Sequence, residues 1–366
     1  MDVPETMLAW QKHFGSTKPE ILHLLTAREQ TIQVRVEVPV PTPGENGLLI
    51  KIHAAGVCHS DFALLQTPVK PPGYLDKYTL GHEGCGEVVS VGAKVTKFAP
   101  GDMVSILSVP GCGSATCPTC SAGVPQICPA GDHYGIGNAH GSFAPYIAVV
   151  ESAAVKLPAV VSAAAGAVAT DACVTSYNAV VNRAKVKKSD TVLLYGLGGL
   201  GFNALQMILN IGARVLVVDK RQEILDEAVK FGVKKEDVVP VNTPSVSDWV
   251  AKRSLVVDTA IDFVGVPETF RTAIESVRHA GTVVLVGLLS GEVTIPSFVA
   301  VRKQLDILCS YGGTVEDLVA SLDLISRGVI TPQVETGSMA DFPKVLEDLH
   351  AGRVKSRIAL VPEGMQ

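Results

Sequence analysis

The sequence predicts an α/β chain in which a β-rich body precedes a doubly wound parallel sheet. Three observations carry that reading. At 366 residues the chain exceeds the size at which one hydrophobic core usually keeps growing, so two domains are expected. The first third holds short apolar runs separated by Gly- and Pro-rich turns, as strands and hairpins do. From Thr191 onward apolar strands alternate with amphipathic helices, the rhythm of a parallel sheet covered on both faces.

In order, strands are expected at TIQVRVEVPV, at LLIKIHAAGV beyond the turn PTPGENG, at GEVVSVGA and at DMVSIL. The segment VSAAAGAVATDACVTSYNAVV then changes character: Ser162 can cap a long Ala-rich helix, although Gly166 and several β-branched residues oppose it. Next come the strand TVLLYG, a helix from about Gly199 to Ile211, the strand RVLVVD, a helix around RQEILDEAVKFG, the strand LVVDTAIDFVG, a helix after Pro267 and the strand TVVLVGLL. The rhythm breaks at SYGGT near Cys309, and a helix around VEDLVASLDLISRG precedes a last strand, RIALVP.

With 47% hydrophobic and 18% charged residues, 34 Gly and 22 Pro, the composition is that of a compact globular chain. A formal net charge of -5, a pI near 6.0 and the lack of any Lys or Arg block argue against nucleic acid as a partner. The apolar run AVVSAAAGAVA is too short to span a bilayer, and MDVPETMLAWQKHF has no signal-peptide core, so a soluble cytoplasmic protein is expected.

YGLGGLG places Gly196, Gly198 and Gly201 in the pattern G-x-G-x-x-G, directly after an apolar strand and at the start of a helix. Small residues let the backbone, including Gly199 and Leu200, approach a pyrophosphate, and the helix offers free amides and its positive dipole end. Asp219 ends the next strand, where a carboxylate accepts hydrogen bonds from adenosine ribose hydroxyls; this predicts NAD. Lys220 and Arg221 follow directly and soften the discrimination against NADP.

Of eight cysteines, four crowd into GCGSATCPTCSAGVPQIC with the spacing C-x4-C-x2-C-x7-C: Cys112, Cys117, Cys120 and Cys128. Four thiolates make a closed tetrahedral zinc site that braces structure and leaves no position for substrate. A second metal site is suggested by Cys58 in GVCHSDF and His82 in GHEGCGEVVSVGAKV. A thiolate, a neutral imidazole and a third anionic side chain would keep a fourth position open for substrate oxygen. TDACVTSY offers both Asp171 and Cys173 for that third place. On a helix, residues two apart point about 200° apart, so only one of them can face the metal.

GHEGCGEVVSVGAKV satisfies G-H-E-x2-G-x5-G-x2-V, and the chain is identified by it as resembling the zinc-dependent medium-chain alcohol dehydrogenases. The resemblance runs along nearly the whole chain, through Cys58, the four-cysteine lobe, GSFAPY, GLGGLG with Asp219, DFVG near Asp262 and VGLL at Gly287 and Leu288. It implies a GroES-like catalytic domain over 1–170 and 308–366 and a Rossmann NAD-binding domain over 171–307, with substrate and nicotinamide meeting in the cleft between them. It implies that Ser60 takes the alcohol proton, while Ala63 stands where a relay histidine is common. His59 and Arg357 match positions that contact the cofactor pyrophosphate, Asp61 one that orients a metal-bound imidazole, and Glu83 flanks the metal or binds it. The family pattern C-A-G-V-T-V-Y, aligned on Thr175 and Tyr177, puts Asp171 at the ligand position and Thr175 beside the nicotinamide. Cys173 as ligand, or no catalytic zinc, are the competing readings.

The expected activity is reversible hydride transfer between an alcohol and NAD, with one catalytic and one structural zinc. The alternatives are a zinc-free reductase of activated double bonds and a non-catalytic nucleotide sensor. Phe62, Leu65, Tyr134, Leu288 and Leu289 are candidate pocket residues whose types suggest an apolar or aromatic substrate. GEVTIPSFVA reads as an edge strand able to pair across a homodimer or homotetramer.

Overall fold

The computed structural model describes residues 3–14, 31–355 and 357–364. The chain folds as two compact units, Met1–Asp171 with Thr314–Ser326 and Pro332–Gln366, and Ala172–Gly313 with Arg327–Thr331.

The first unit is built on a mostly antiparallel sheet in the order Val334–Ser338, Arg357–Val361, Gly47–Val57, Glu83–Val91, Met103–Ile106 and Ala154–Lys156, with Tyr146–Val150 also paired to Gly47–Val57. A smaller antiparallel sheet joins Thr31–Pro39, Thr6–Phe14 and Lys77–Thr79. Leu48, Ile50, Ile52, Phe143, Phe342, Leu346 and Leu360 form its core. Gly47–Val57 is buried along nearly its whole length rather than alternately, because its other face is covered too. There Ala54, Cys85 and Ala359 meet Ala167 and Val168 of the helix Ala163–Val168.

That helix is capped by Ser162, whose hydroxyl accepts from Ala165 N at 3.2 Å. Gly166, a poor helix former, is required by the close packing: a Cβ there would lie 2.5 Å from Leu157 and 3.0 Å from Cys85 Sγ. The expected long helix is instead interrupted, with π-helical turns at Ala169–Cys173 and Asn178–Arg183 on either side of the short helix Val174–Tyr177. Widened turns of this kind are common at functional sites.

The second unit is a parallel sheet in the order Arg214–Val218, Thr191–Tyr195, Val257–Asp262, Val277–Leu285 and Asp306–Cys309. A parallel bridge between Val217 and Val238 extends it past Arg214–Val218, which completes the strand order of a dinucleotide-binding fold. Leu193, Leu216, Ala260 and Val283 from the strands pack with Trp249, Phe270 and Ile274 from the helices. Two expectations are corrected here. The return to the first unit comes at Thr314 and not at 308, because Asp306–Cys309 pairs with Val277–Leu285 as the sheet's last strand. GEVTIPSFVA forms no strand: Pro296 caps the helix Ser297–Lys303, and Val293, Val299 and Ala300 turn onto the core.

Candidate functional site

Three strand ends converge in the first unit. Gly47–Val57 ends just before Cys58 and Glu83–Val91 begins just after His82, and the two strands pair with Gly56 opposite Glu83. That register sets Cys58 beside His82. Arg357–Val361 pairs with the same strand, Ile358 opposite Val57, and Asp171 arrives on its π-helical turn. One ligand atom each from Cys58, His82, Glu83 and Asp171 therefore lies within 4.8 Å of the others. Cys173, fully buried, does not belong to the group.

Cys58 Sγ is 3.3 Å from Asp171 Oδ2. Tetrahedral zinc with Zn–S of about 2.3 Å and Zn–O of about 2.0 Å would hold such donors about 3.5 Å apart, so the spacing fits that ion. Buried Asp61 orders both neighbours: its Oδ2 accepts from Cys58 N at 2.9 Å, capping the helix His59–Gln66, and its Oδ1 accepts from His82 Nδ1 at 3.2 Å. With Nδ1 carrying the proton, His82 Nε2 is the nitrogen left for a metal.

Glu83 is fully buried, and Gly56 makes room for it, since a Cβ there would lie 2.0 Å from Oε2. Its Oε1 accepts from Arg357 Nη1 at 2.5 Å, while Oε2 has no hydrogen-bond partner among the described residues. An orphaned carboxylate oxygen inside a donor cluster is what a bound cation would satisfy. Burial pushes the Glu83 carboxyl up to about 8 against the pull of Arg357, whereas at Asp171 burial is outweighed by Arg357 and His82, which hold it down at about 2.

Arg357, expected at the cofactor pyrophosphate, is instead 5% exposed inside this cluster. Its Nη2 donates to Asp171 Oδ2 at 2.9 Å and its Nη1 also donates to Val57 O at 3.2 Å. The reason is the pairing of Ile358 with Val57, which carries the preceding residue to this cluster. Ser60, exposed in the first turn of the helix with His59, has its Oγ 3.6 Å from Cys58 Sγ.

The four cysteines of the lobe also gather within 4.8 Å. Cys112 and Cys120 sulfurs are 3.7 Å apart and those of Cys117 and Cys128 are 3.6 Å apart. A tetrahedron with Zn–S of about 2.3 Å has edges of about 3.8 Å, so this set matches a closed zinc site. The Thr119 hydroxyl, 3.2 Å from Cys117 Sγ, leads the interactions that draw that thiol down to about 6.

In the second unit the glycine loop joins the strand Thr191–Tyr195 to the helix Gly201–Ile211. Gly196 has φ +82, and a Cβ on Gly201 would sit 1.8 Å from Gly196 O, so the chain itself demands both. A Cβ on Gly198 would meet nothing within 4 Å. The protein has no internal need for that glycine, which fits a backbone approached by a pyrophosphate. Asp262 fixes the loop opposite, accepting from Val264 N at 2.8 Å and Gly265 N at 3.0 Å, and Gly287 N donates to Asp262 O at 2.9 Å. Thr175 is buried, whereas Lys220 and Leu288 are exposed.

Other residues carry roles that sequence patterns do not reveal. Ser176 Oγ donates to Ala172 O and Leu200 O at 2.7 and 2.8 Å, tying the short helix to the glycine loop. Lys12, fully buried, donates to the carbonyls of Leu64 and Thr67 at the end of the helix that starts at Cys58. Of the candidate pocket residues, Leu65 packs in the core and Tyr134 is held there by Asp132 Oδ2 and Val150 N, both at 2.9 Å. Phe62 stacks on His350 with ring centroids 3.7 Å apart.

Residues 44–159 match the alcohol dehydrogenase GroES-like domain, and residues 199–327 match the domain described as zinc-binding dehydrogenase. An alcohol dehydrogenase of Rhizobium meliloti is 31% identical over 328 residues, 88% of this chain and 94% of that one. One from Geobacillus stearothermophilus is 32% identical over 333 residues, again 88% and 94%. Among solved structures, acetophenone reductase from Geotrichum candidum in complex with NAD superposes with a TM-score of 0.83 at 30% identity, covering 99% of this chain and 98% of that one.

Proposed function

The chain belongs to the zinc-dependent medium-chain alcohol dehydrogenase family, and on that footing we propose that it interconverts an alcohol and its carbonyl by hydride transfer to or from NAD. The observation that carries this reading is the grouping of Cys58, His82 and Asp171 in a chain that also has the glycine loop and Asp219. Zinc supplies a Lewis acid toward the substrate oxygen and NAD supplies the hydride acceptor.

The side chains have distinct tasks. Cys58, His82 and Asp171 would hold the ion through two anions and one neutral imidazole, which would balance its charge. Asp61 keeps the His82 ring aimed, and Glu83 with Arg357 fixes the far wall. Ser60 Oγ receives the alcohol proton, since a hydroxyl can accept one hydrogen while donating another. Ser60 would pass that proton to the cofactor ribose hydroxyl, and Ala63 offers no histidine base beyond it. Thr175 lines the nicotinamide side of the glycine loop, and the four-cysteine lobe takes a second, structural zinc.

Phe62, part-buried and stacked on His350, supports an apolar or aromatic substrate. The exposed Leu288, Leu289, Phe298 and Val301 support self-association as a dimer or tetramer. Four thiols gathered with the spacing of a metal site rather than of disulfides favour the reducing cytoplasm. A panel of alcohols with NAD, followed by NADH absorbance with and without a zinc chelator, tests class, cofactor and metal together. Chelator-insensitive turnover, or turnover only on activated double bonds, would refute the reading.

A further inference from the structure

Asp262 ends the strand Val257–Asp262 and is fully buried, so it touches no ligand itself. Its carboxylate nevertheless accepts three hydrogen bonds, Oδ1 from Val264 N at 2.8 Å and Gly265 N at 3.0 Å, and Oδ2 from Thr269 Oγ1 at 2.8 Å. Its backbone oxygen accepts from Val286 N and Gly287 N, each at 2.9 Å. One residue therefore holds both the loop after its own strand and the loop after Val277–Leu285. The loops also hold each other: Leu289 N donates to Val264 O at 3.2 Å and Ser290 N to Gly265 O at 3.0 Å. A Cβ on Gly265 would lie 1.8 Å from Gly287 O, so neither loop can shift alone.

The strands are parallel, and these loops share one edge of the sheet with Asp219 and the glycine loop. Asp219 follows Arg214–Val218, the glycine loop follows Thr191–Tyr195, and the next two strands in the sheet are Val257–Asp262 and Val277–Leu285. With the adenosine ribose at Asp219 and the pyrophosphate on the glycine loop, a dinucleotide runs from the first of these strands to the second. Continued in that direction, its second nucleoside lies over the loops that Asp262 holds. That nucleoside carries the nicotinamide.

We propose that Asp262 is a positioning residue for the nicotinamide half of the dinucleotide, acting through two loops that it holds as one wall. Without its carboxylate the Val264 and Gly265 amides lose their acceptor, and the ligand itself must order the wall, which costs affinity. The adenosine half lies over other strands and does not depend on Asp262. This rests on the dinucleotide-binding reading of the second unit.

Titration calorimetry of the full chain with NAD and with ADP-ribose, which keeps the adenosine and pyrophosphate but has no nicotinamide, tests it without turnover. Asp262→Ala should weaken NAD by about tenfold or more and leave ADP-ribose within about twofold of wild type. Asp262→Asn keeps an oxygen for the two amides and can donate to Thr269 Oγ1, so it should restore NAD to within about threefold of wild type. A purely structural role would move both ligands by one factor, and that result, or an unchanged NAD affinity in Asp262→Ala, overturns the proposal. Should Asp262→Ala fail to fold, Thr269→Val removes only the bond to Oδ2 and should weaken NAD by about threefold with ADP-ribose unchanged; equal shifts would again overturn it. Wild type that binds neither ligand would instead overturn the dinucleotide reading, and this inference with it.

Discussion

The four cysteines of the lobe lie in one loop between Cys112 and Cys128, whereas the mixed cluster joins residues as far apart as Val57 and Arg357, separated by 300 positions. In the lobe, four identical donors need only a loop that can close on itself, and the result is symmetrical and complete. In the mixed cluster a thiol, an imidazole, two carboxylates and a guanidinium meet because strands pair in one register. Its unlike donors leave a buried carboxylate oxygen without a hydrogen-bond partner among the described residues. A site for structure can be local; a site for chemistry here depends on the whole sheet.

The largest effect should come from taking one donor out of the mixed cluster. Asp171→Ala is expected to release one zinc per chain, leave the lobe's zinc in place and lower kcat by about a thousandfold, the scale of several kcal/mol of Lewis-acid stabilisation. Cys173→Ala should keep both metals and most activity. Metal analysis with steady-state kinetics decides between them. If the two variants exchange phenotypes, the wrong residue of TDACVTSY has been assigned.

Arg357→Met should act on stability instead. It strips the ion-pair partner from Glu83 and Asp171, and above about pH 8, where the fully buried Glu83 carboxyl is ionised, a buried charge left alone in this way costs about 3–5 kcal/mol. Thermal unfolding of the metal-depleted chain should show it most clearly, because bound zinc can compensate a stranded carboxylate. An unchanged Tm in the depleted variant would mean that Glu83 is not held by Arg357. Asp61→Asn, which weakens the hold on both Cys58 N and the His82 ring, should weaken zinc at the mixed cluster by about 10–100-fold and leave the lobe untouched.

What could be read in advance follows the same division. The lobe is legible as a spacing, and the glycine loop with Asp219 as a strand, a turn and a helix in sequence. Cys58 and His82 are visible through their motif. Helical phase says only that one of Asp171 and Cys173 can face the cluster, and the family pattern names Asp171; the structure groups Asp171 with Cys58 and His82, on a turn that is π-helical rather than the helix expected. Arg357 in the mixed cluster could not be read, because nothing local to KSRIALVP says that Ile358 will face Val57. The strand Asp306–Cys309 was hidden because it is four residues long and none of its residues is buried. The helix Phe342–His350 did carry a signal, since Phe342, Val345, Leu346 and Leu349 make one apolar face.

The smallest predicted effect concerns a tie that the lobe lacks. The helix His59–Gln66 starts at Cys58 of the mixed cluster and ends over Lys12, whose ammonium donates to the Leu64 and Thr67 carbonyls and lies 4.4 Å from the Phe14 ring. A cation suits the negative end of a helix, but burial still lowers the Lys12 pKa from 10.5 to about 8. Between those values the unfolded chain binds more protons than the folded one, so stability gained through this group rises with pH. The contribution is fully present above about 10.5 and is lost as pH falls through about 8. Comparing Tm of wild type and Lys12→Met across that window should show wild type gaining on the variant as pH rises. A difference that is constant with pH would mean that Lys12 titrates normally and that its carbonyl bonds, not its charge, hold the helix beneath Cys58.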